Sequence, residues 1–259
     1  MLLKDICREI DIFCPFDTQE EWDNSGLQIG DPGAEVKKAL VAFDFTEEIL
    51  KEAVEREVQL VVTHHPFFFK GIRRIDGSEA KGRMICGLIE HHIGLISCHT
   101  NLDKAAYGVS AVLGAKLGLK EFRPFIAETE TVGLGVIGTL ENETTLDAFA
   151  ERVKKALDIP MVRTVGAAER KISRVAVMGG AGSDFMAEAK AFGADLYVTA
   201  DLKYHDGQTA AEMGLSLMDA GHFATEVSVM EPFRQKMAAA MEGVEFLLAE
   251  NVKDFWAVR

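Results

Sequence analysis

Apolar residues fall in short unbroken runs along this chain, and stretches of helical periodicity separate them. Seven runs predict strands, over residues 39–43, 60–63, 94–98, 133–139, 175–178, 196–199 and 215–219. A short continuous apolar run is what a strand covered on both faces shows, because neither side of the pleat meets water. Helical patterns lie near 46–57, 80–91, 105–117, 144–157, 184–192, 206–213 and 224–241. Strands alternating with helices of this length predict an α/β fold with mixed, largely parallel sheets. The segment 121–131, EFRPFIAETET, carries a proline and mixed charge, and the alternation restarts beyond it. Two α/β domains are expected. The first takes 1–125 with a returning segment 217–259, and the second takes 126–216.

Composition adds little to that picture, and charge removes some functions from it. The chain has 259 residues, 48% hydrophobic and 27% charged, which supports a sizeable core. A net charge of -13 argues against nucleic acid as a partner, since that requires a basic face. It leaves room for a small anionic substrate, because a bound metal can dominate the local field. Cys7, Cys14, Cys86 and Cys98 show no Cys-x-x-Cys spacing and read as small apolar residues in a reducing compartment. The opening MLLKDICREIDIF is amphipathic, without an apolar signal core, and no window approaches the roughly twenty apolar residues of a membrane helix. A cytoplasmic protein that does not enter a membrane is expected.

The candidate chemistry collects just past the strand ends, where open α/β sheets carry their functional residues. Thr63-His64-His65 follows the second run and Cys98-His99-Thr100-Asn101-Leu102-Asp103 the third. Asp201, Lys203 and His205 follow the sixth, and Asp219-Ala220-Gly221-His222-Phe223-Ala224-Thr225-Glu226 the seventh. Five of the seven histidines therefore sit at strand ends. His64 and His65 read as metal ligands whose rings diverge if the backbone turns at Pro66. His222 and Glu226 are spaced i,i+4, so a helix starting near Gly221 would put both on one face. Asp103 could supply a carboxylate oxygen. His99 could be a ligand or a general acid/base, because a free imidazole titrates near neutrality. Asp201, Lys203 and His205 read as supporting or substrate-contacting groups. Mixed imidazole and carboxylate ligands suit zinc, iron, manganese or nickel without choosing among them.

Other stretches have plainer readings. His91 and His92 end a helix, where cations suit its dipole. The glycine-rich MGGAGSDF, 178–185, reads as a tight strand-to-helix turn, since it lacks the lysine and hydroxyl of a phosphate-binding P-loop. After the histidine pair, Phe67, Phe68 and Phe69 read as wall or core. Lys70, Arg73 and Arg74 either rim a site for phosphate or form a solvated loop. For EWDNSGLQIG, residues 21–30, spacing suggests no mechanism.

Taken in order, WDNSGLQIG, THHP, HTNLD, ADLKYH and GHFATE resemble the Nif-three-like dinuclear metal-centre proteins, whose bacterial members are often labelled GTP cyclohydrolase I type two homologues. The resemblance covers nearly the whole chain, in the short form without an inserted central domain. It implies a Nif-three-like fold of two α/β domains with two divalent ions in the cleft between them. His65 and Asp103 would hold one ion, His64 and His222 the other, and Glu226 would bridge them. It also implies a toroidal homohexamer. Two such ions clamp an attacked oxygen and activate water. The expected function is a metal-dependent hydrolase of a nucleotide or phosphoester, with His99 as proton shuttle and His205 second. A non-enzymatic metal-binding or regulatory scaffold assembly is the alternative.

Overall fold

The computed structural model describes residues 1–257. Its strands are β1 (Gly26–Ile29), β2 (Lys38–Ala42), β3 (Leu60–Thr63), β4 (Gly94–Ser97), β5 (Lys120–Ala127), β6 (Gly133–Thr145), β7 (Arg163–Val165), β8 (Lys171–Ala181), β9 (Leu196–Ala200), β10 (Ser216–Asp219) and β11 (Glu245–Leu248). Its α-helices are α1 (Leu3–Phe13), α2 (Glu47–Glu55), α3 (Ala80–Glu90), α4 (Thr100–Lys104), α5 (Val109–Lys116), α6 (Leu146–Leu157), α7 (Met186–Ala191), α8 (Tyr204–Glu212), α9 (His222–Glu226) and α10 (Met230–Ala240). The fold is mixed α/β. The chain divides into two compact units: Met1–Leu102 with Met230–Lys253, and Asp103–Val229 with the residues from 254. No helix among the described residues is long and apolar enough to cross a membrane.

The first unit carries a five-stranded sheet in the order β1-β4-β3-β2-β11, parallel except for β1. Every residue of β3 and β4 is buried, as expected for strands covered on both faces. Ala42 pairs with Thr63, and Thr63 with Ser97, so β2, β3 and β4 end level with one another. The residues just beyond them, Phe43-Asp44, His64-His65 and Cys98-His99, therefore leave the sheet side by side. Register, rather than any local motif, brings these groups together.

The C-terminal segment completes that sheet through β11 and is clasped by a buried carboxylate. Glu52, on α2, accepts hydrogen bonds from the amides of Glu250 and Asn251 and from Asn251 Nδ2 (2.9–3.2 Å). Arg56 donates to it at 2.7 Å. Burial acts to raise the Glu52 pKa, but these donors outweigh it and hold the carboxyl below the ordinary glutamate range.

The second unit has a six-stranded sheet, β5-β6-β8-β9-β10-β7, parallel at β8-β9-β10 and antiparallel on both flanks. Period-two alternation divides its apolar side chains between two cores. Val175, Val177, Leu196 and Val198 pack with Phe149 and Val153 of α6. Ala176, Met178 and Tyr197 pack on the other face with Met186 and Ala189 of α7.

All seven expected strands are present. Four others escape the apolar pattern. β1 is only partly buried and β7 is largely exposed. β5 runs through the stretch that reads as a linker. Pro124 is tolerated there because β5 is an edge strand, where a missing N–H costs no ladder bond. The single helix expected over 224–241 is broken into α9, a 3₁₀ turn at Val227–Val229, and α10. Pro232 has no N–H to donate to Ser228, so a continuous helix cannot pass, but the first turn of a new one accepts it. Likewise, the pattern over 105–117 resolves into α5 alone, with α4 formed earlier, at Thr100–Lys104.

Glu52→Ala should lower the unfolding free energy by roughly 1–3 kcal/mol, the penalty for stranding buried donors, as read by urea denaturation. Because the folded pKa is depressed, this contribution is complete above the unfolded value of 4.5 and is lost as pH falls through the lower folded value. The gap between parent and variant should therefore narrow in acid.

Candidate functional site

In the first unit, three imidazoles meet beyond the strand ends. The turn after β3 is fixed by Thr63 and Ser97, whose hydroxyls both donate to the His65 carbonyl (2.9 and 3.2 Å). The amides of His64 and His65 both donate to the Phe43 carbonyl (3.1 and 3.3 Å). Phe43 stacks on the His64 ring, with centroids 5.7 Å apart and an interplanar angle of 18°. The side-chain ligand atoms of His64, His65 and His99 lie within 4.8 Å of one another. Together they form a group that could hold a metal ion.

Each of these rings is held at Nδ1. His64 is fully buried and its Nδ1 lies 3.0 Å from the Cys98 carbonyl oxygen. A carbonyl only accepts, so Nδ1 carries the hydrogen and Nε2 the lone pair. His65 Nδ1 lies 2.8 Å from Asp44 Oδ1, and His99 Nδ1 lies 2.8 Å from Asp23 Oδ1. The Asp23 side chain has no exposed surface. Burial works to raise its pKa, but the hydrogen bond and charge of His99, together with donors from Thr100, drive it well below the ordinary aspartate range. Asp23 also accepts from the Thr100 amide at 3.0 Å and from the Thr100 hydroxyl, which starts α4. Asn101 fastens the same helix to the end of α1, donating to the Cys14 carbonyl at 3.0 Å. Asp103, half-buried, follows one turn after His99 on α4 and is the first residue of the second unit.

In the second unit, the expected pairing of His222 with Glu226 is present. Gly221, at φ +83°, lets the chain turn sharply out of β10 into α9. One helical turn then places His222 Nε2 3.0 Å from Glu226 Oε2. His222 Nδ1 lies 2.8 Å from Asp201 Oδ2, so this ring too is held at Nδ1 by a carboxylate. Burial would lower the His222 pKa. Glu226 first, and then Asp201, outweigh it by hydrogen bond and charge and push it up to about 9.

The glycine-rich turn serves this pair. Gly180 has φ +65°, and a Cβ there would lie 2.1 Å from Glu226 Oε1. Its amide donates to Thr225 Oγ1 at 3.0 Å. Its carbonyl accepts from Thr199, and that of Gly182 from Tyr197, both at 2.9 Å. Phosphate would need free amides, and those of Gly179 and Gly180 already donate to the Ser110 and Thr225 hydroxyls (3.4 and 3.0 Å), which disfavours a phosphate-binding role.

The other basic residues singled out in the sequence are exposed. His205 is exposed on α8, with Nδ1 3.3 Å from Gln208 Oε1, and joins no metal-competent group among the described residues. His91 and His92 are exposed at the end of α3, and His92 has φ +55°. Lys70, Arg73 and Arg74 are exposed, and Arg74 pairs with Glu79 at 3.2 Å. Sequence reasoning missed Asp23 and Asp44. Asp44 had a usable signal, since it follows strand β2 as the histidines follow β3. Asp23 had none, being 76 residues from His99.

An imidazole fixed at Nδ1 by a carboxylate or carbonyl is the usual condition of a metal-binding histidine, because the anchor sets the tautomer and raises the basicity of Nε2. The donor set in each unit, imidazoles in one and imidazole with carboxylate in the other, therefore fits a divalent metal.

Comparison with known proteins agrees with the architecture. The "GTP cyclohydrolase 1 type 2 homolog" of Clostridium perfringens is 35% identical over 259 residues, covering 98% of both chains. A hypothetical protein of Staphylococcus aureus, known from its crystal structure, superposes with a TM-score of 0.96 at 31% identity, covering 100% of this chain and 99% of that one. A Bacillus cereus protein related to NIF3 superposes with a TM-score of 0.91 at 25% identity over 100% and 99%. The sequence matches the family model over residues 1–254, and with these relatives it follows that the chain belongs to Duf34/NIF3 (NGG1p interacting factor 3).

Proposed function

We propose that His64, His65, Asp103, His222 and Glu226 gather around two divalent metal ions, and that the chain is a hydrolase of a nucleotide or phosphoester. The observation that carries this reading is the fixing of His64, His65 and His222 at Nδ1, each by a carbonyl or carboxylate of its own unit. Three imidazoles prepared alike are more than a packed core requires. In this reading His65 and Asp103 hold one ion, His64 and His222 hold the other, and Glu226 bridges. The toroidal homohexamer belongs to the same reading. The name of the Clostridium perfringens relative points to the same substrate class.

Bound divalent ions would supply Lewis acidity and a water activated near neutral pH. The chain's own groups do the rest. Asp44, Asp201 and the Cys98 carbonyl orient the ligand rings. Glu226 is kept in place by the absence of a side chain at Gly180. His99, its ring held by Asp23, carries a proton between solvent and the reacting atoms through Nε2. His205, exposed on α8, is the second candidate for that proton transfer.

Without metal, the short contact between His222 and Glu226 is an ion pair that contains a proton. His222 would have to give up that proton to hold a cation at Nε2, so metal uptake at neutral pH would release acid. In metal-free protein the raised pKa makes this pair contribute fully to stability below 6.5, and the contribution disappears as pH climbs through about 9.

Elemental analysis of the purified protein should give two divalent ions per chain in the parent and a clear loss in both His64→Ala and Glu226→Ala. Full loading in either variant would remove that residue from the ligand set. His99→Ala should keep both ions while turnover of a nucleotide or phosphoester falls by about 100-fold or more. If the fully loaded parent turns over nothing in a broad panel, the non-enzymatic scaffold becomes the better reading. In NMR titrations of metal-free protein, His222 should titrate near 9, and Glu226→Gln should bring it down.

A further inference from the structure

The stretch around Trp22, which the metal chemistry leaves unused, places an exposed aromatic ring against His99. Trp22 is 62% exposed and its ring centroid lies 5.7 Å from that of His99, at 74°. Phe69, from the loop after the histidine pair, is 48% exposed and lies 5.6 Å from the same imidazole, at 86°. Both meet it edge to face. Among the described residues neither has another ring partner, so much of each ring's surface is open to solvent.

Two neighbouring polar side chains hold these loops together. Asn24 Nδ2 donates to the Phe68 carbonyl at 2.6 Å, and the Phe68 amide donates to Gln28 Oε1 at 3.2 Å. Asn24 and Gln28 also meet each other, at 3.3 Å. The segment just after Trp22 is thus tied to the residue just before Phe69. Directly after Phe69 the chain reads Lys70-Gly71-Ile72-Arg73-Arg74, three cations in five residues of a protein with net charge -13. Arg74 is occupied by Glu79, but Lys70 and Arg73 make no ion pair among the described residues. Open aromatic faces beside the His99 ring, followed in the chain by unpaired cations, make a combination suited to a flat ring bearing an anionic group.

We propose that Trp22 and Phe69 receive the base of a mononucleotide beside His99, and that Lys70 and Arg73 receive its phosphate. Stacking accepts any planar base, and cationic groups supply the attraction to the anion. Asn24 and Gln28 are positioning residues that hold the two aromatic loops in register. This inference rests on the hydrolase reading and narrows it, assigning the substrate's base and phosphate to separate groups of the first unit.

The chain has two tryptophans, so Trp256→Phe leaves Trp22 as the only indole, at the cost of a side chain that is 86% exposed. In that background, with metal content measured in parallel, GMP should quench Trp22 fluorescence saturably. Guanosine should quench with about tenfold weaker affinity, and pyrophosphate should leave the emission unchanged. Phe69→Ala should weaken GMP binding by about tenfold, the effect of losing one stacking partner. Lys70→Ala with Arg73→Ala should weaken GMP but leave guanosine unchanged. Absence of quenching in protein carrying two ions overturns this inference and leaves the metal reading standing. Saturable quenching in parent protein that takes up no divalent ion upholds this inference and overturns the metal reading instead. If Phe69→Ala leaves GMP affinity within twofold and Phe69→Leu does the same, the ring is not a wall of the site and the inference fails.

Discussion

An imidazole has two nitrogens, and the partner that fixes one decides what the other can do. Four histidines of this chain are fixed at Nδ1, by the Cys98 carbonyl, Asp44, Asp23 and Asp201. The rest of the candidate chemistry depends on that arrangement. A ring anchored in this way keeps its tautomer and its direction without help from a ligand, so little ordering remains to be done when one binds. The anchors come from strand ends and tight turns, the parts of an α/β fold whose positions register controls most closely.

The first unit shows how little of this needs local sequence signals. β2, β3 and β4 are apolar runs with no functional residue inside them. Their parallel register makes them end together, and three consecutive loops then supply Asp44, His64-His65 and His99 to one place. The second unit reaches a comparable result by other means. A sharp glycine turn and a single helical turn set His222 over Glu226, while a second glycine turn leaves room for the carboxylate.

The strands that build the sheets are legible because burial on both faces writes itself as continuous apolar sequence. β1, β5 and β7 are not, because partly exposed edge strands have no such constraint, and in β5 a proline reads as a break. The i,i+4 geometry of His222 and Glu226 is legible because it is local. Asp23 is not, because its partner lies 76 residues away and only tertiary packing joins them. The glycine-rich turn is visible in sequence, but its role is hidden. A glycine kept for a left-handed backbone looks the same as one kept to bring phosphate close, and what distinguishes them is that a Cβ at Gly180 would fall 2.1 Å from Glu226 Oε1. The helix expected over 224–241 breaks at Val227–Val229, ahead of Pro232, a signal that was present and outweighed by the apolar periodicity around it.

Asp23 divides its two oxygens between different tasks: Oδ1 steadies the His99 ring and Oδ2 starts helix α4. Loss of that one carboxylate would therefore be felt twice, since the helix would lose its starting contact and the ring its anchor.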